Sequence, residues 1–305
     1  MLVPRIEHIY QSHQLNSTHW ERFVARDDDI VDATSVKSGT TWMQNIVRHL
    51  IFPDPETRPG LEVSPWIDSA VTRINEAVTM LEAQQHRRFV KTHLPLDGLP
   101  YYAQVKYIVV TRDARDVFMS LWNHYRNFTP EWIERLNRIP AHVDRPFPPC
   151  PDDIHNFWRE WMTRGWFEWE SEGYPWWSNL RHTQTWWNFR HLPNILFVHF
   201  NDLLTNPADE IRRVVEYLNI DLPDERLPLI VDAVSFSSMK QNGEQIIGTM
   251  SATKGGAHTF FNSGTNGRWR GVLTDDDLEL YEAAVARELT PDCAHWLEHG
   301  RLSDR

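Results

Sequence analysis

The sequence predicts an α/β fold, a single domain with a central and mainly parallel sheet flanked by helices. Three observations point to it: short β-branched apolar segments, helical spacing of apolar residues behind several of them, and polar turns in between. Strands that alternate with helices favour a parallel sheet covered on both faces. The chain has 305 residues, of which 41% are apolar, so it is long enough for one large domain. We therefore assign residues 1–305 to a single domain.

The strands and helices can be predicted in order along the chain. Buried strands are predicted at residues 29–36, 88–93, 105–112 and 194–200. A helix is predicted to begin at Thr40, behind the first strand, and another at about residue 113, behind the third. Asn206 is a suitable N-cap for a helix that begins at Pro207. Thr274 is predicted to cap the last helix, which runs to about residue 287.

Composition and charge argue against several classes of protein. The net charge of -11 argues against bulk nucleic-acid binding, which needs a basic surface. No segment approaches the roughly 20 apolar residues of a transmembrane helix, and the N-terminus does not resemble a signal peptide. Two cysteines, Cys150 and Cys293, are too few for a disulfide scaffold. They predict reduced thiols in a cytoplasmic protein.

Two segments stand out between the third and fourth predicted strands. Residues 129–153 are rich in proline and are predicted to leave the sheet as an insertion, either a pocket wall or an inert surface loop. Many of the 15 tryptophans of the chain lie between Trp158 and Trp187. For any single one of these tryptophans, a place in the core is the simpler prediction.

The segment KSGTTW, residues 37–42, joins the first predicted strand to the first predicted helix. Backbone N–H groups at a helix N-terminus are unsatisfied and attract anions. Gly39 would let the backbone approach a ligand, while Lys37 adds a charge and the threonine hydroxyls can donate. Because the lysine precedes the glycine, the segment departs from the ATPase pattern and offers no standard magnesium ligand. It predicts an anion site without a metal, although an ordinary strand-to-helix turn has a similar pattern.

Polar residues follow the next two predicted strands as well. Lys91 and His93 lie two residues apart and therefore project to the same side of the second strand. A histidine at the carboxyl end of a strand is placed to take a proton near neutral pH. Arg112 ends the third strand, and Ser120 lies eight residues further on, within reach of the same anionic group. Taken singly, each residue also fits an ordinary hydrogen bond or ion pair.

Together these segments resemble the cytosolic sulfotransferase family, which transfers a sulfuryl group from 3′-phosphoadenosine 5′-phosphosulfate (PAPS) to a hydroxyl or amine. KSGTTW (37–42) is similar to the family's 5′-phosphosulfate loop, KTHLP (91–95) to its catalytic segment and TRDARDVFMS (111–120) to its 3′-phosphate segment. Related segments follow at 197–207 and 234–242, so the resemblance covers about residues 29–275. It implies a fold related to that of P-loop nucleotide kinases. The product nucleotide would be 3′-phosphoadenosine 5′-phosphate (PAP), and no metal is implied.

The resemblance also implies a role for each matching residue. His93 would be the general base, Lys37 would stabilise the bridging oxygen of the leaving nucleotide, and Lys91 would hold the sulfuryl group. The implied nucleotide site consists of Lys37, Ser38, Gly39, Thr40 and Thr41 at the 5′-phosphate, Trp42 and Phe236 at the adenine, and Arg112 and Ser120 at the 3′-phosphate.

The sequence departs from the family pattern in its late loop. The family usually has Arg-Lys-Gly followed by Gly-Asp-Trp, whereas this chain has Asn262, Ser263 and Gly264, and then Gly-Arg-Trp at 267–269. We assign Asn262, Ser263 and Gly264 to the nucleotide site, where two cations are therefore missing. The candidates to replace these cations are Lys254, Arg268 and Arg270. Two further positions lose a hydroxyl donor, because Phe200 replaces a tyrosine and Val234 a threonine.

The acceptor is predicted only by class. Residues 129–188 would contribute an insertion and an aromatic part of the acceptor pocket, which suits an apolar or aromatic alcohol, a phenol or a lipid-like hydroxyl. Members of the family often form dimers, so a homodimer is also possible, but the usual lysine-threonine-valine-glutamate dimer pattern has no clear match here.

Two other functions remain open at this point. One is a metal-dependent nucleotide kinase or NTPase of related fold, which the position of Lys37 and the lack of a magnesium-binding set disfavour. The other is a non-catalytic nucleotide-binding protein, which Asn262 and Ser263 favour and His93 disfavours.

Overall fold

The computed structural model describes residues 3–139, 145–248 and 251–301. Residues 140–144 of the predicted insertion lie outside the described residues. The central sheet has four parallel strands in the order β2-β1-β3-β4. The strands are β1 (Ile30–Thr34), β2 (Phe89–Thr92), β3 (Lys106–Thr111) and β4 (Ile195–His199). The predicted α/β class and the four predicted strands are confirmed, with ends that differ by one or two residues.

Helices surround this sheet along the described part of the chain. Before β4 they are α1 (Thr40–Ile51), α2 (Ile74–Ala83), α3 (Ala114–Arg126), α4 (Pro130–Arg138), α5 (Ile154–Thr163) and α6 (Asn179–Trp187). After β4 they are α7 (Phe200–Thr205), α8 (Pro207–Leu218), α9 (Arg226–Ala233), α10 (Phe236–Gln241), α11 (Gly243–Ile247), α12 (Gly256–Phe260), α13 (Asp275–Glu288) and α14 (Pro291–His299). Short 3₁₀ segments occur at Ser17–Arg22, Leu61–Val63 and Leu96–Gly98.

Both faces of the sheet are buried. Val31 and Val109 belong to one hydrophobic cluster, and Ile30 and Ile108 belong to another on the opposite face. Successive side chains of a strand point to opposite faces, so this division shows that helices cover the sheet on both sides. The carboxyl ends of all four parallel strands consequently lie at one edge, where the polar segments predicted to be functional follow them.

Local sequence signals decide where most of the predicted helices begin. α1 begins at Thr40, behind Gly39, and the side chain of Asp113 caps α3. Asn206 caps α8, whose first residue is Pro207, and Thr274 caps α13 in a capping box. These four predicted helix starts are confirmed.

Two details of the prediction are wrong. α13 is not the last helix, since α14 follows it and buries Cys293 and Leu297. A helix of only nine residues gave too short a pattern to be recognised. Phe200 does not end a strand but begins α7, because His199 turns the chain and its side chain accepts a hydrogen bond from the Asn201 N–H. Within the described residues, no helix has the length and apolar character needed to cross a membrane.

Candidate functional site

A cavity of about 750 Å³ lies at the carboxyl ends of the strands. Every predicted segment contributes to its wall. The predicted site residues that line it are Lys37, Gly39, Thr40, Thr41, Trp42, Lys91, His93, Arg112, Ser120, Phe236, Asn262, Ser263 and Gly264. Segments up to about 225 positions apart thus meet in one cavity, as the strand-end argument predicts.

The turn between β1 and α1 has an unusual backbone. Lys37 has φ of 64° and Gly39 has φ of 118°, both in the left-handed region. At Gly39 a side chain would also meet Phe200, whose ring carbon would lie 3.0 Å from the added Cβ. This backbone places the Lys37 Nζ 4.0 Å from the centroid of the Phe260 ring, in the wall of the cavity. The free N–H groups of α1 begin at the same turn.

Ser38 is the one predicted site residue that does not line the cavity. Its side chain is buried, and its Oγ lies 3.1 Å from the Oγ of Ser35. The hydroxyl group of Ser38 therefore points into the protein, away from a ligand in the cavity.

His93 is held in one orientation with one nitrogen free. Its Nδ1 lies 2.7 Å from the carbonyl oxygen of Thr34, which can only accept, so Nδ1 carries the proton. Its Nε2 has no hydrogen bond within the described residues and carries the lone pair. The indole rings of Trp66 and Trp177 flank the imidazole, with ring centroids 4.7 and 5.6 Å away. Burial, with a smaller effect of Lys91, lowers the pKa of His93 to about 3, so the imidazole is neutral.

A buried carboxylate that the sequence analysis missed supports His93 from behind. The Oδ2 of Asp68 accepts hydrogen bonds from the His93 N–H at 3.0 Å and from the Trp66 indole at 2.7 Å, and its Oδ1 accepts one from Trp20. Asp68 lies in a loop without any recognisable motif, so no signal in the sequence could have pointed to it. Asp68 thus fixes both the backbone of His93 and the indole ring of Trp66 beside it.

Among the described residues, four cations line the cavity: Lys37, Lys91, Arg112 and Arg268. Burial lowers the pKa of Lys37 to about 7, and the charges of Arg112, Lys91 and Arg268 lower it further in the same direction. Burial likewise lowers the pKa of Lys91 to about 8, although Asp68 and Asp32 oppose the shift. Partly desolvated cations that repel one another gain from a bound anion, so the cavity is suited to an anionic ligand.

Residues of the late loop hold the side chain of Arg112, the arginine predicted to bind the 3′-phosphate. The Nε of Arg112 donates to Asn266 at 3.0 Å and its Nη2 donates to the Thr265 carbonyl at 2.9 Å. The guanidinium lies 4.0 Å above the centroid of the Phe200 ring. Asp116 of α3 accepts from the backbone N–H groups of Gly267 and Arg268 and so ties the loop to the same helix.

The structure separates the three cations considered as replacements in this loop. Arg268 lines the cavity, and its charge acts on both Lys37 and Arg112. Arg270 stacks on the Trp269 ring, 4.5 Å from its centroid, and does not line the cavity. Lys254 is exposed and also lies outside the cavity wall. Of these three, only Arg268 is placed to act on a ligand.

Aromatic residues line the two ends of the cavity. At one end Trp42 meets Phe200, with ring centroids 5.2 Å apart, and Gly264 packs so closely on Phe236 that an added Cβ would lie 2.2 Å from its ring. Val234 lines this end as well. The other end is formed by Trp66, Phe128, Trp132, Trp176 and Trp177. In the predicted aromatic region, Trp158, Trp161 and Trp186 are fully buried in the core and do not line the cavity, whereas Trp176 and Trp177 belong to the same core and do line it.

A family model and several known proteins are similar to this chain. A family model described as "Sulfotransferase domain" matches residues 27–291. A glycolipid sulfotransferase of Mycobacterium bovis (strain BCG / Pasteur 1173P2) is 31% identical, over 96% of this chain and 94% of that protein. Sulfotransferase 1A1 of Rattus norvegicus is 29% identical, over 90% of this chain and 88% of that protein.

Solved structures give the same fold. Mouse sulfotransferase SULT7A1, complexed with PAP, superposes with a TM-score of 0.69 at 21% identity and covers 93% of this chain and 92% of that one. Retinol dehydratase, in complex with androsterone and the inactive cofactor PAP, superposes with a TM-score of 0.68 at 20% identity and covers 90% and 84%.

Proposed function

The chain belongs to the sulfotransferase family, and from this membership we propose that it transfers the sulfuryl group of PAPS to the hydroxyl group of an apolar acceptor. One observation carries the proposal: the unprotonated Nε2 of His93 and the ammonium groups of Lys37 and Lys91 line the same cavity. A base and two cations in one cavity are what in-line transfer of an anionic group to a hydroxyl requires.

The lining of the cavity is suited to PAPS, which supplies a sulfuryl group already attached to a good leaving group. The N-terminus of α1, with Thr40 and Thr41, would bind the 5′-phosphate. Arg112, Ser120 and Arg268 would bind the 3′-phosphate, for which the cluster of buried cations is the supporting observation. Further contacts at this site would come from Asn262, Ser263 and Gly264, and the adenine would lie between Trp42 and Phe236.

The protein residues would act as follows during transfer. His93 Nε2 takes the proton of the acceptor hydroxyl, while the Nδ1–H bond to Thr34 keeps the ring in the required tautomer. The pKa of about 3 describes the protein without a ligand, and the negative charges of a bound nucleotide would raise it. Lys37 stabilises the charge that develops on the leaving oxygen, and Lys91 holds the transferring group.

The end of the cavity formed by Trp66, Phe128, Trp132, Trp176 and Trp177, here called the acceptor end, supports an apolar alcohol, a phenol or a lipid-like hydroxyl as the acceptor. Trp66 and Trp132 are half-buried and offer aromatic surface, while Trp176 and Trp177, with 1–2% of their surface exposed, line the cavity from the core. The name of the mycobacterial relative, a glycolipid sulfotransferase, points in the same direction. A homodimer and a cytoplasmic location stay predictions, the second of which rests on the two free cysteines.

Two measurements test this function. Thermal unfolding should show that PAP raises the melting temperature more than ADP with magnesium does, because only PAP carries the 3′-phosphate. Incubation with PAPS and a panel of phenols, sterols, fatty alcohols and glycolipids should then give a sulfated product. Stabilisation by ADP with magnesium alone would favour the kinase or NTPase alternative. Binding of PAP without any sulfated product across the panel, and without slow hydrolysis of PAPS, would favour a non-catalytic binding protein.

A further inference from the structure

The turn that carries Lys37 needs support from outside itself. A non-glycine residue with φ of 64° is strained and persists only where its surroundings hold it. Two bonds within the turn do so: the Ser38 N–H donates to the Ser35 carbonyl at 3.3 Å, and the two side-chain oxygens lie 3.1 Å apart. Both serines are almost completely buried, with 1–2% of their surface exposed, so water does not compete for these bonds.

A residue from a distant helix completes this set of bonds. The Nδ2 of Asn179, at the start of α6, donates to the Oγ of Ser35. Because Ser35 Oγ accepts from the amide, its own hydrogen is free to point at Ser38 Oγ. The three side chains therefore form one chain of hydrogen bonds, which links Asn179 through Ser35 to Ser38 in the turn.

The start of α6 is itself held firmly. Glu172 is fully buried, and its carboxylate accepts from the Ser178 hydroxyl and from the N–H groups of Asn179 and Leu180. The donors it satisfies are those that a helix N-terminus leaves free. The segment between Glu172 and α6 contains Trp176 and Trp177, which line the acceptor end of the cavity. Asn179 thus joins the start of α6, at the acceptor end, to the turn at residues 35–39. This turn belongs to the other end of the cavity, here called the nucleotide end, which contains Lys37, Arg112 and Arg268.

We propose that Asn179 is a positioning residue for the phosphate loop: through Ser35 and Ser38 it holds the turn at residues 35–39 and so aims the Lys37 ammonium into the cavity. The proposal rests on the proposed function, because it assigns to Lys37 a role in sulfuryl transfer. It explains why Ser38, inside the phosphate-binding segment, turns its hydroxyl away from the cavity. It also makes the wall of the acceptor end and the orientation of Lys37 parts of one hydrogen-bonded unit.

The test is a double-mutant cycle on the full-length protein, with Asn179→Ala, Ser35→Ala and the double variant. PAP affinity is measured by calorimetry, and kcat and KM are measured with PAPS and the best acceptor of the panel. We expect Asn179→Ala to lower kcat and PAP affinity by about tenfold each, because a buried serine pair loses its donor. The KM for the acceptor should change little. The double variant should be no worse than the more affected single variant, since both changes interrupt one chain of bonds.

A matched control is Asn194→Ala. Asn194 is also a buried asparagine, and its Nδ2 donates to the Val105 carbonyl at 2.9 Å, but it lies before β4 and outside the cavity wall. This variant should lower the melting temperature and leave kcat and PAP affinity unchanged. If Asn179→Ala does not fold, Ser35→Ala alone must still show the tenfold loss.

Several outcomes would overturn the proposal. The first is an unchanged kcat and PAP affinity in Asn179→Ala or, if that variant does not fold, in Ser35→Ala. The second is a loss in the double variant that equals the product of the two single losses. The third is a loss of kcat in Asn194→Ala as large as that in Asn179→Ala. The wild type separates this failure from that of the proposed function. If it neither binds PAP nor forms a sulfated product, the proposed function fails; if it does both and the cycle shows no coupling, only the role of Asn179 fails.

Discussion

The two ends of the cavity are suited to different kinds of ligand. The nucleotide end gathers Lys37, Arg112 and Arg268 with the free N–H groups of α1, and it suits a ligand with several fixed negative charges. The acceptor end offers mainly aromatic surface, such as Trp66 and Trp132, and it suits an apolar ligand without a fixed polar pattern. Charge recognition depends on a few directed groups, whereas apolar recognition is spread over a wide area. The nucleotide end should therefore be sensitive to single substitutions, and the acceptor end tolerant of them.

His93 lies where the two ends meet. Its backbone and ring are held by Asp68, Thr34 and two tryptophans, and its free Nε2 is available to an acceptor hydroxyl. Substitutions at His93 and at each end should therefore have effects of different size, largest at His93 and smallest at the acceptor end.

The largest effect is expected at the junction. His93→Ala should lower kcat by about 10²–10⁴-fold, the usual loss on removing a general base. PAP affinity should hardly change, since the imidazole is neutral and contacts the acceptor side. Steady-state kinetics and calorimetry measure the two quantities, and the exposed His191→Ala serves as a control. Full turnover without His93 would remove it from the mechanism.

The next effect concerns the 3′-phosphate. Arg268→Ala should weaken PAP binding by about 10–150-fold, which corresponds to a charged hydrogen bond of about 1.5–3 kcal/mol. Binding of ADP, which has no 3′-phosphate, should be unchanged. Arg270→Ala is the matched control, because that side chain stacks on Trp269 outside the cavity. Equal losses for PAP and ADP would mean that Arg268 acts on the cavity as a whole and not on the 3′-phosphate.

A third effect is a pH dependence of nucleotide binding. With pKa values of about 7 and 8, Lys37 and Lys91 lose their protons as the pH rises from 7 to 9 in the protein without ligand. An anion binds best to the protonated lysines, so PAP affinity should fall with rising pH, by at most about tenfold per lysine and pH unit.

Calorimetry in two buffers of different ionisation enthalpy should detect the proton uptake that accompanies binding above pH 7. The variant Lys37→Met should bind PAP more weakly and with a flatter pH dependence. The exposed Lys254→Met should keep the slope of the wild type. An affinity that stays constant between pH 7 and pH 9 would show that neither lysine titrates in this range.

The smallest effect is expected at the acceptor end. Trp132→Ala should raise the KM for an apolar acceptor by about two- to tenfold, the loss typical of one aromatic contact, while PAP affinity stays the same. Trp132 is half-buried and packs on Phe128, with ring centroids 6.4 Å apart, so the fold should survive the change. A loss as large as that of Arg268→Ala would break the contrast drawn between the two ends.

Much of the nucleotide end could be predicted from short stretches of the chain. β-branched strands, the order of Lys37 and Gly39, and the caps at Asn206 and Thr274 are local features, and each acts on neighbouring residues. Because the carboxyl ends of parallel strands share one edge, the sequence alone also predicts that Lys91, His93 and Arg112 lie together, as they do in the cavity. The prediction that most tryptophans of the aromatic region are core residues is confirmed for Trp158, Trp161 and Trp186, which are fully buried.

Other features required the tertiary structure, because they join residues that no local pattern connects. Asp68 reaches His93 across 25 positions, and Asn179 reaches Ser35 across 144. Sequence reasoning could name three cations for the late loop, but only the packing of that loop on Asp116 decided that Arg268 faces the cavity. Strand and turn preferences act over a few residues and can be predicted from the chain. The direction of a side chain and its distant partner depend on how whole helices pack, and only the folded structure decides them.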